Sequence, residues 1–283
     1  MKAELSAIKG SYARRVQPGL RFLKGHGTEN DFVLLPDPEG RIDLTPELVR
    51  RLCDRRAGIG ADGVLRVVPS VFEPEGAPYA DDARYFMDYR NADGSVAEMC
   101  GNGVRVYARY LVAAGLVRPG HLRLATRGGI KEVDLEAGDG PVSVDMGPAV
   151  VGDPVDVDGT PATFVDMGNP HAVVPVESVD GLGELKTSRL DLNVEYVEDL
   201  GPTSIAMRVH ERGVGETRSC GTGACAAVVA TSLRTGMPRG TAYDVRVPGG
   251  SLVVTWREDG HVLLTGPAVL LAEGVLDRGW LDA

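Results

Sequence analysis

The chain has 283 residues, 25% of them charged and 43% hydrophobic, with 40 acidic against 30 basic side chains and a net charge of −10. These proportions suit a soluble globular protein of one or two domains. The acid excess excludes a protein that grips a nucleic-acid backbone, and no apolar run is long enough to span a bilayer, so neither nucleic acid nor membrane is an expected partner.

The 37 glycines and 18 prolines carry no triplet period, so they mark turns between strands and not collagen or low complexity. The start, MKAELSAIKGSYARR, lacks the apolar stretch of a secretory signal, and the expected location is cytoplasmic. In that reducing compartment Cys53, Cys100, Cys220 and Cys225 are expected as free thiols. None forms a C-x-x-C pair, so no metal site is expected.

In chain order, the first strand-like run is FVLLP (32–36). A short helix is expected over LTPELVRRLCD (44–54), starting near Thr45 with Pro46 at its first position, which makes Cys53 a small buried hydrophobe. Strand-like runs follow at GVLRVV (63–68) and ARYFMDY (83–89), separated by an exposed loop over 71–83. Cys100 then opens C-G-N-G, and VRVYARYLVAAG behind it reads as a helix ending at Gly115. Further on, IAMRVH (205–210) reads as a strand. Cys220 opens C-G-T-G, ACAAVVATSLRTG reads as a helix ending at Gly236, and SLVVTW (251–256) is again a strand.

The chain therefore contains itself twice. Asn91 stands nine residues before Cys100, and Glu211 nine before Cys220. Gly128-Gly129 answers to Gly249-Gly250, Gly147-Pro148-Ala149 to Gly266-Pro267-Ala268, and Asn30-Asp31-Phe32 to Asn169-Pro170-His171. The expected fold class is α+β: two pseudo-symmetric domains from an internal duplication, each a curved, mostly antiparallel or mixed sheet around a central helix. The first half is expected over 1–143 and the second over 144–265, with 266–283 returning to the first half by symmetry.

A cysteine before Gly-x-Gly at a helix start has a physical meaning. The first helical turn offers unpaired N–H groups and the positive end of the dipole, and glycine lets a ligand come close to the backbone. Each start can thus bind a carboxylate and act on its own thiol. Two such starts facing one cleft would place Cys100 and Cys220 on opposite sides of one ligand, as inversion of a stereocentre by proton transfer requires. Cys225 has no counterpart, since Arg105 stands at the matching point, and is read as core. The other reading of Cys100 and Cys220 is structural: packing, capping or a disulfide in a non-catalytic amino-acid binder. Asn30, Asn169 and His171 sit at strand ends, as turn residues or as walls of the same cleft. Arg212, beside Glu211, could hold a second carboxylate or form a surface ion pair. A pyridoxal-phosphate racemase is disfavoured because Lys2, Lys9, Lys24, Lys131 and Lys186 lie in no phosphate-binding context. Acyl transfer is disfavoured because it needs one nucleophile with a base, not two equal cysteines.

HGTENDF (26–32), GIGADG (58–63), NADGSVAEMCGNGVR (91–105), MGNPH (167–171), NVEYVE (193–198) and ERGVGETRSCGTGACAA (211–227) together resemble the diaminopimelate epimerases over nearly the whole chain. The resemblance implies a cofactor-independent epimerase that interconverts LL- and meso-2,6-diaminoheptanedioate in lysine and peptidoglycan precursor biosynthesis. Cys100 and Cys220 would transfer the protons. Gly101, Asn102, Gly221 and Thr222 would bind the reacting α-carboxylate. Asn30, Asn91, Asn169, Asn193, Glu211 and Arg212 would line the substrate, with Asn91, Asn193 and Arg212 at its distal end. His171 and Glu211 would help to set the thiols' protonation. The resemblance also implies a homodimer. Proline or hydroxyproline racemases share the paired cysteines and stand as the alternative, although a small cyclic substrate has no distal amino acid for Arg212 to hold. Two departures stand out: Gly63, where many relatives carry Gln, and a longer segment at 71–83.

Overall fold

The computed structural model describes residues 19–282; the segment read for a secretory signal lies outside the described residues. The first half runs β1 (Arg21–Gly27), β2 (Asn30–Pro36), α1 (Pro46–Cys53), β3 (Gly63–Pro69), β4 (Tyr85–Asn91), α2 (Gly101–Ala113), β5 (Gly120–Thr126), β6 (Gly129–Leu135) and β7 (Val142–Pro148). The second runs β8 (Val150–Val151), β9 (Val155–Val157), β10 (Thr160–Asp166), β11 (Pro170–Pro175), β12 (Asn193–Gly201), β13 (Ser204–Glu211), β14 (Gly215–Thr217), α3 (Gly221–Thr235), β15 (Ala242–Val247), β16 (Gly250–Trp256) and β17 (His261–Gly266). Then follow β18 (Val269–Val275) and α4 (Arg278–Leu281).

The strand pairings repeat. β1–β2 is antiparallel, β2–β3 parallel, β3–β4 antiparallel, β4–β5 parallel, and β5–β6 and β6–β7 antiparallel. In the second half β10–β11, β11–β12, β12–β13, β13–β15 and β15–β16 repeat the first five in the same order and sense, and β16–β17 is antiparallel like β6–β7. The architecture is the mixed, strand-dominated α+β duplication expected. The two copies join where β7 pairs with β17, Val144 opposite Leu264. Beyond this seam each chain direction crosses over: β8 pairs with β10, and β18 pairs with β1.

Each copy closes around its own helix. α3 is apolar on nearly every side and accordingly buried, from Gly221 to Ser232 apart from Thr222. α2 is as deeply placed although it carries Arg105 and Arg109. Val104, Tyr107 and Leu111 of α2 share one apolar core with Ala224 and Val228 of α3 and with Val144 and Leu264 of the seam. α1 forms as the sequence indicates: Thr45 caps it by accepting from the Leu48 N–H, Pro46 follows, and Cys53 is buried. α2 ends earlier than the expected Gly115, at Ala113, because Ala114 makes the cap; Gly115 follows in the left-handed region at φ 67°. Residues 71–83 are not a plain loop: short 3-10 turns at Ser70–Phe72 and Ala77–Tyr79 fold it back, and Ala83 is buried. Among the described residues no helix is long and apolar enough to cross a membrane.

Candidate active site

Cys100 and Cys220 are the N-caps of α2 and α3, both in extended backbone conformation. Each sulfur accepts a hydrogen bond from the third residue on, Gly103 N and Gly223 N, both at 3.4 Å. The two first turns meet. A Cβ on Gly221 would lie 3.1 Å from Leu264 Cδ2, and one on Gly101 would lie 3.0 Å from the same atom, so Leu264 of the seam supports both starts.

Cys100 is half-buried and its thiol donates to Asn30 Oδ1 at 3.6 Å. Asn30 is in turn held by Asp62 at 2.8 Å. Burial pushes the Cys100 thiol up to about 11, against the Gly103 N–H and the nearby Arg105, which favour the thiolate. Cys220 is buried and its sulfur lies 3.4 Å from Thr222 Oγ1. Burial, then the carboxylates of Glu211 and Glu195, push its thiol well above the ordinary value. Cys53 and Cys225 are driven up to about 12 by burial, as befits inert core thiols.

The remaining candidates gather around these two sulfurs. Asn102 is 1% exposed, and its side-chain amide donates to Asn30 Oδ1 at 3.1 Å and to Ser219 O at 3.2 Å. That side chain therefore ties the halves together. Asn169 Oδ1 lies 3.1 Å from Nε2 of the fully buried His171. Asn193 opens β12 and is locked on both sides, donating to Pro170 O at 3.0 Å and accepting the Arg212 N–H at 3.0 Å. The Arg212 side chain is exposed beside it. Glu211 accepts from the Thr217 hydroxyl, and burial raises its carboxyl. Asn91 ends β4 opposite Gly63, accepts from Tyr89 Oη at 2.8 Å and donates to Ser95 Oγ at 3.0 Å. The space beside Gly63 belongs to Tyr89, whose Cε2 would lie 2.7 Å from a Cβ there.

Three features were not singled out from the sequence. Glu195, fully buried, has its Oε1 2.7 Å from His171 Nδ1. It lies two residues after Asn193 and so on the same face of the strand. Arg105, fully buried, donates to Thr28 Oγ1 at 3.3 Å and Pro267 O at 3.2 Å, and burial pulls it down to about 10. Thr28 Oγ1 and Ser219 Oγ, 2.6 Å apart, complete a buried polar chain from the first half to the residue before Cys220.

The sequence and structure have known relatives. The family model for diaminopimelate epimerase matches residues 22–152 and 163–271. The chain is 55% identical to a diaminopimelate epimerase of Streptomyces coelicolor, covering 93% of this chain and 97% of that one. It is 49% identical to one of Thermobifida fusca, covering 90% and 97%. Among solved structures, a Bacillus anthracis phenazine biosynthesis protein of the PhzF family superposes with TM-score 0.70 at 15% identity, covering 92% and 99%. A probable proline racemase of Agrobacterium radiobacter does so with TM-score 0.66 at 16% identity, covering 92% and 93%. These distant likenesses show the class of fold, a duplicated α+β architecture shared with those structures. Within it, the chain belongs to the diaminopimelate epimerase family.

Proposed function

We propose that this protein epimerises diaminopimelate, the activity named for its relatives, by passing one proton out and one proton in between Cys100 and Cys220. The observation that carries the mechanism is the pair of matched N-capping cysteines on helix starts that touch. With the substrate's α-carboxylate seated on the first-turn N–H groups around Gly101, Asn102, Gly221 and Thr222, the α-carbon lies between the two sulfurs. A thiolate on one face removes the proton while the thiol on the other supplies one, and the roles exchange in the reverse direction. The same N–H groups stabilise the charge that builds beside the carboxylate. Asn30 positions the Cys100 thiol, while His171 and Glu211 act on the Cys220 side. Asn91, Asn169, Asn193, Glu211 and the Arg212 guanidinium hold the substrate's polar groups, Arg212 attracting the distal carboxylate that a chain of net charge −10 would otherwise repel.

The reading extends to assembly and place. The two halves, with β18 returning to the first, form the two walls of the cleft, and the protein works as a cytoplasmic homodimer. The experiment is incubation of each diaminopimelate isomer with the protein in deuterated water. Deuterium at one α-carbon, with conversion between the LL and meso forms, is the expected result. Exchange without inversion, or no exchange with either isomer, overturns the two-base reading.

A further inference from the structure

The two halves correspond position by position, and they differ beneath the cysteines. In the pairing of β2 with β3, Phe32 lies opposite Gly63 and Leu34 opposite Leu65. In β11 with β12, His171 lies opposite Asn193 and Val173 opposite Glu195. His171 thus takes the place of Phe32, and Glu195 the place of Leu65. In the first half a Cβ on Gly103 would lie 3.3 Å from Leu65 Cδ2 and 3.6 Å from Phe32 Cζ. In the second, a Cβ on Gly223 would lie 2.6 Å from Glu195 Oε1. Both glycines donate their N–H to their own cysteine. The same floor is apolar under one thiol and ionisable under the other.

The first half shows that the fold can be built without this pair. A buried carboxylate with its partner is usually no more stable than well-packed apolar side chains in its place. Here it is incompletely satisfied as well: Glu195 Oε2 has no hydrogen-bond partner among the described residues. Stability does not explain the pair, which leaves chemistry.

We infer that Glu195 is a positioning residue for proton transfer at Cys220, acting through His171. Its carboxylate stands 2.7 Å from His171 Nδ1 while Asn169 Oδ1 stands 3.1 Å from Nε2, so each ring nitrogen faces an acceptor and the ring is held in one orientation. A carboxylate behind an imidazole fixes the ring's orientation and favours its protonated form. No bond forms or breaks at Glu195. The inference rests on the epimerase reading above for the reaction it serves, and on the side-chain geometry alone for the Glu195–His171 relation.

The test uses Glu195→Gln, Glu195→Leu and the double variant Glu195→Leu with His171→Phe, which copies the first half's floor into the second. Nitrogen-15 spectra of labelled histidine, assigned with His171→Phe, read the protonation of each ring nitrogen of His171. In the wild type both nitrogens, each facing an acceptor, are expected to carry a proton; in Glu195→Gln the doubly protonated ring is expected to be lost. The turnover number of Glu195→Gln should fall about ten- to a hundredfold with KM within about twofold. The fall in kcat/KM must be equal in both directions, because the equilibrium constant is fixed. The double variant should be thermally more stable than Glu195→Leu and no more active. Wild-type turnover in Glu195→Gln, or unchanged nitrogen-15 spectra of His171, would overturn the inference. A wild-type protein that exchanges no α-proton would instead overturn the epimerase reading, while the nitrogen spectra still judge whether Glu195 sets the His171 ring.

Discussion

A Cβ placed on Gly221 would lie 3.4 Å from Oδ1 of Asn102 and 3.5 Å from its backbone nitrogen. The first turns of α2 and α3 therefore stand against each other, one residue's main chain on the other's. Two helix dipoles that point their positive ends together repel unless an anion lies between them. The arrangement thus selects for a carboxylate at the junction, where the reacting group of an amino acid would sit.

Gly221→Ala tests this contact. The added methyl meets Leu264 at 3.1 Å and Asn102 at 3.4 Å, so the neighbours must give by a few tenths of an ångström. The expected loss of stability is about 1–3 kcal/mol, read by urea denaturation. The expected loss in kcat/KM is larger than that figure converts to, because the displaced N–H groups are the ones proposed to hold the substrate. Unchanged kinetics would mean that the starts of the two helices do not form the carboxylate site.

Each of Cys100→Ser and Cys220→Ser should lower turnover by about two to four orders of magnitude, since a hydroxyl neither ionises nor donates as a thiol does. The two losses should not multiply in the double variant, because one proton out and one proton in form a single exchange. Both variants should remain folded, since serine is itself a good N-cap. Near-wild-type interconversion by either single variant would refute the two-base reading.

The duplication, the two central helices and the pairing of the cysteines were legible because they leave local marks: C-G-x-G, a helix-length stretch behind it, and glycines at matched spacing. The seam was not legible. That β7 pairs with β17 follows from packing two copies together and has no signature in either strand. Glu195 was hidden for a different reason. NVEYVE alternates in a way that fits an exposed acid as well as a buried one, and only the partner, His171 on the neighbouring strand, distinguishes them. The resemblance puts Asn102 at the carboxylate-binding helix start, and what the sequence did not show is that its side chain turns to Ser219 and Asn30.

Alkaline pH should raise activity and then remove the fold. The thiols of Cys53 and Cys225 sit at about 12 and that of Cys100 at about 11, all above an ordinary 9.0, and Cys220 is displaced the same way. A group whose pKa is raised by folding lends stability below the unfolded value and loses it as pH climbs toward the folded one. Thermal midpoints should therefore decline from about pH 9 upward, less steeply in Cys53→Ala with Cys225→Ala. Below that range kcat/KM should rise with pH as the free enzyme gains thiolate. A flat stability profile to about pH 11 would show that these thiols titrate normally.

Acid acts on a different cluster. Asp31 accepts from Lys24 at 2.6 Å and Arg55 at 2.8 Å, and these partners, working against its burial, hold its carboxyl at about 2 instead of 3.8. A lowered carboxylate stabilises the fold above its unfolded value and loses that contribution as pH falls toward the folded one. Asp31→Asn should cost about 1–2 kcal/mol at neutral pH, solvent around the exposed Arg55 screening part of the pairing, and almost nothing near pH 2. Because Asp31 adjoins Asn30, which holds the Cys100 thiol, the variant should also slow turnover. Equal destabilisation at both pH values would place the effect in packing and not in the ion pairs.

The two halves also answer differently to the same substitution. Gly128 and Gly249 precede β6 and β16, and their N–H groups bond equivalent carbonyls, Glu98 O at 3.0 Å and Arg218 O at 2.9 Å. A Cβ on Gly128 would meet Met99 Cβ at 3.4 Å, an ordinary contact. A Cβ on Gly249 would lie 1.9 Å from Thr28 O, a backbone atom of the other half that cannot swing aside. Thr28 is itself fixed, in the left-handed region at φ 50° with its hydroxyl 2.6 Å from Ser219 Oγ. Gly128→Ala should therefore change stability by less than about 1 kcal/mol, whereas Gly249→Ala should cost about 3 kcal/mol or more. The second variant pushes the β1–β2 turn away from Ser219 and so from Cys220, and its kcat/KM should fall with its stability. Denaturation midpoints and kcat/KM measured side by side for the two alanines decide the matter: matched losses would mean that Thr28 does not clamp the halves at Gly249.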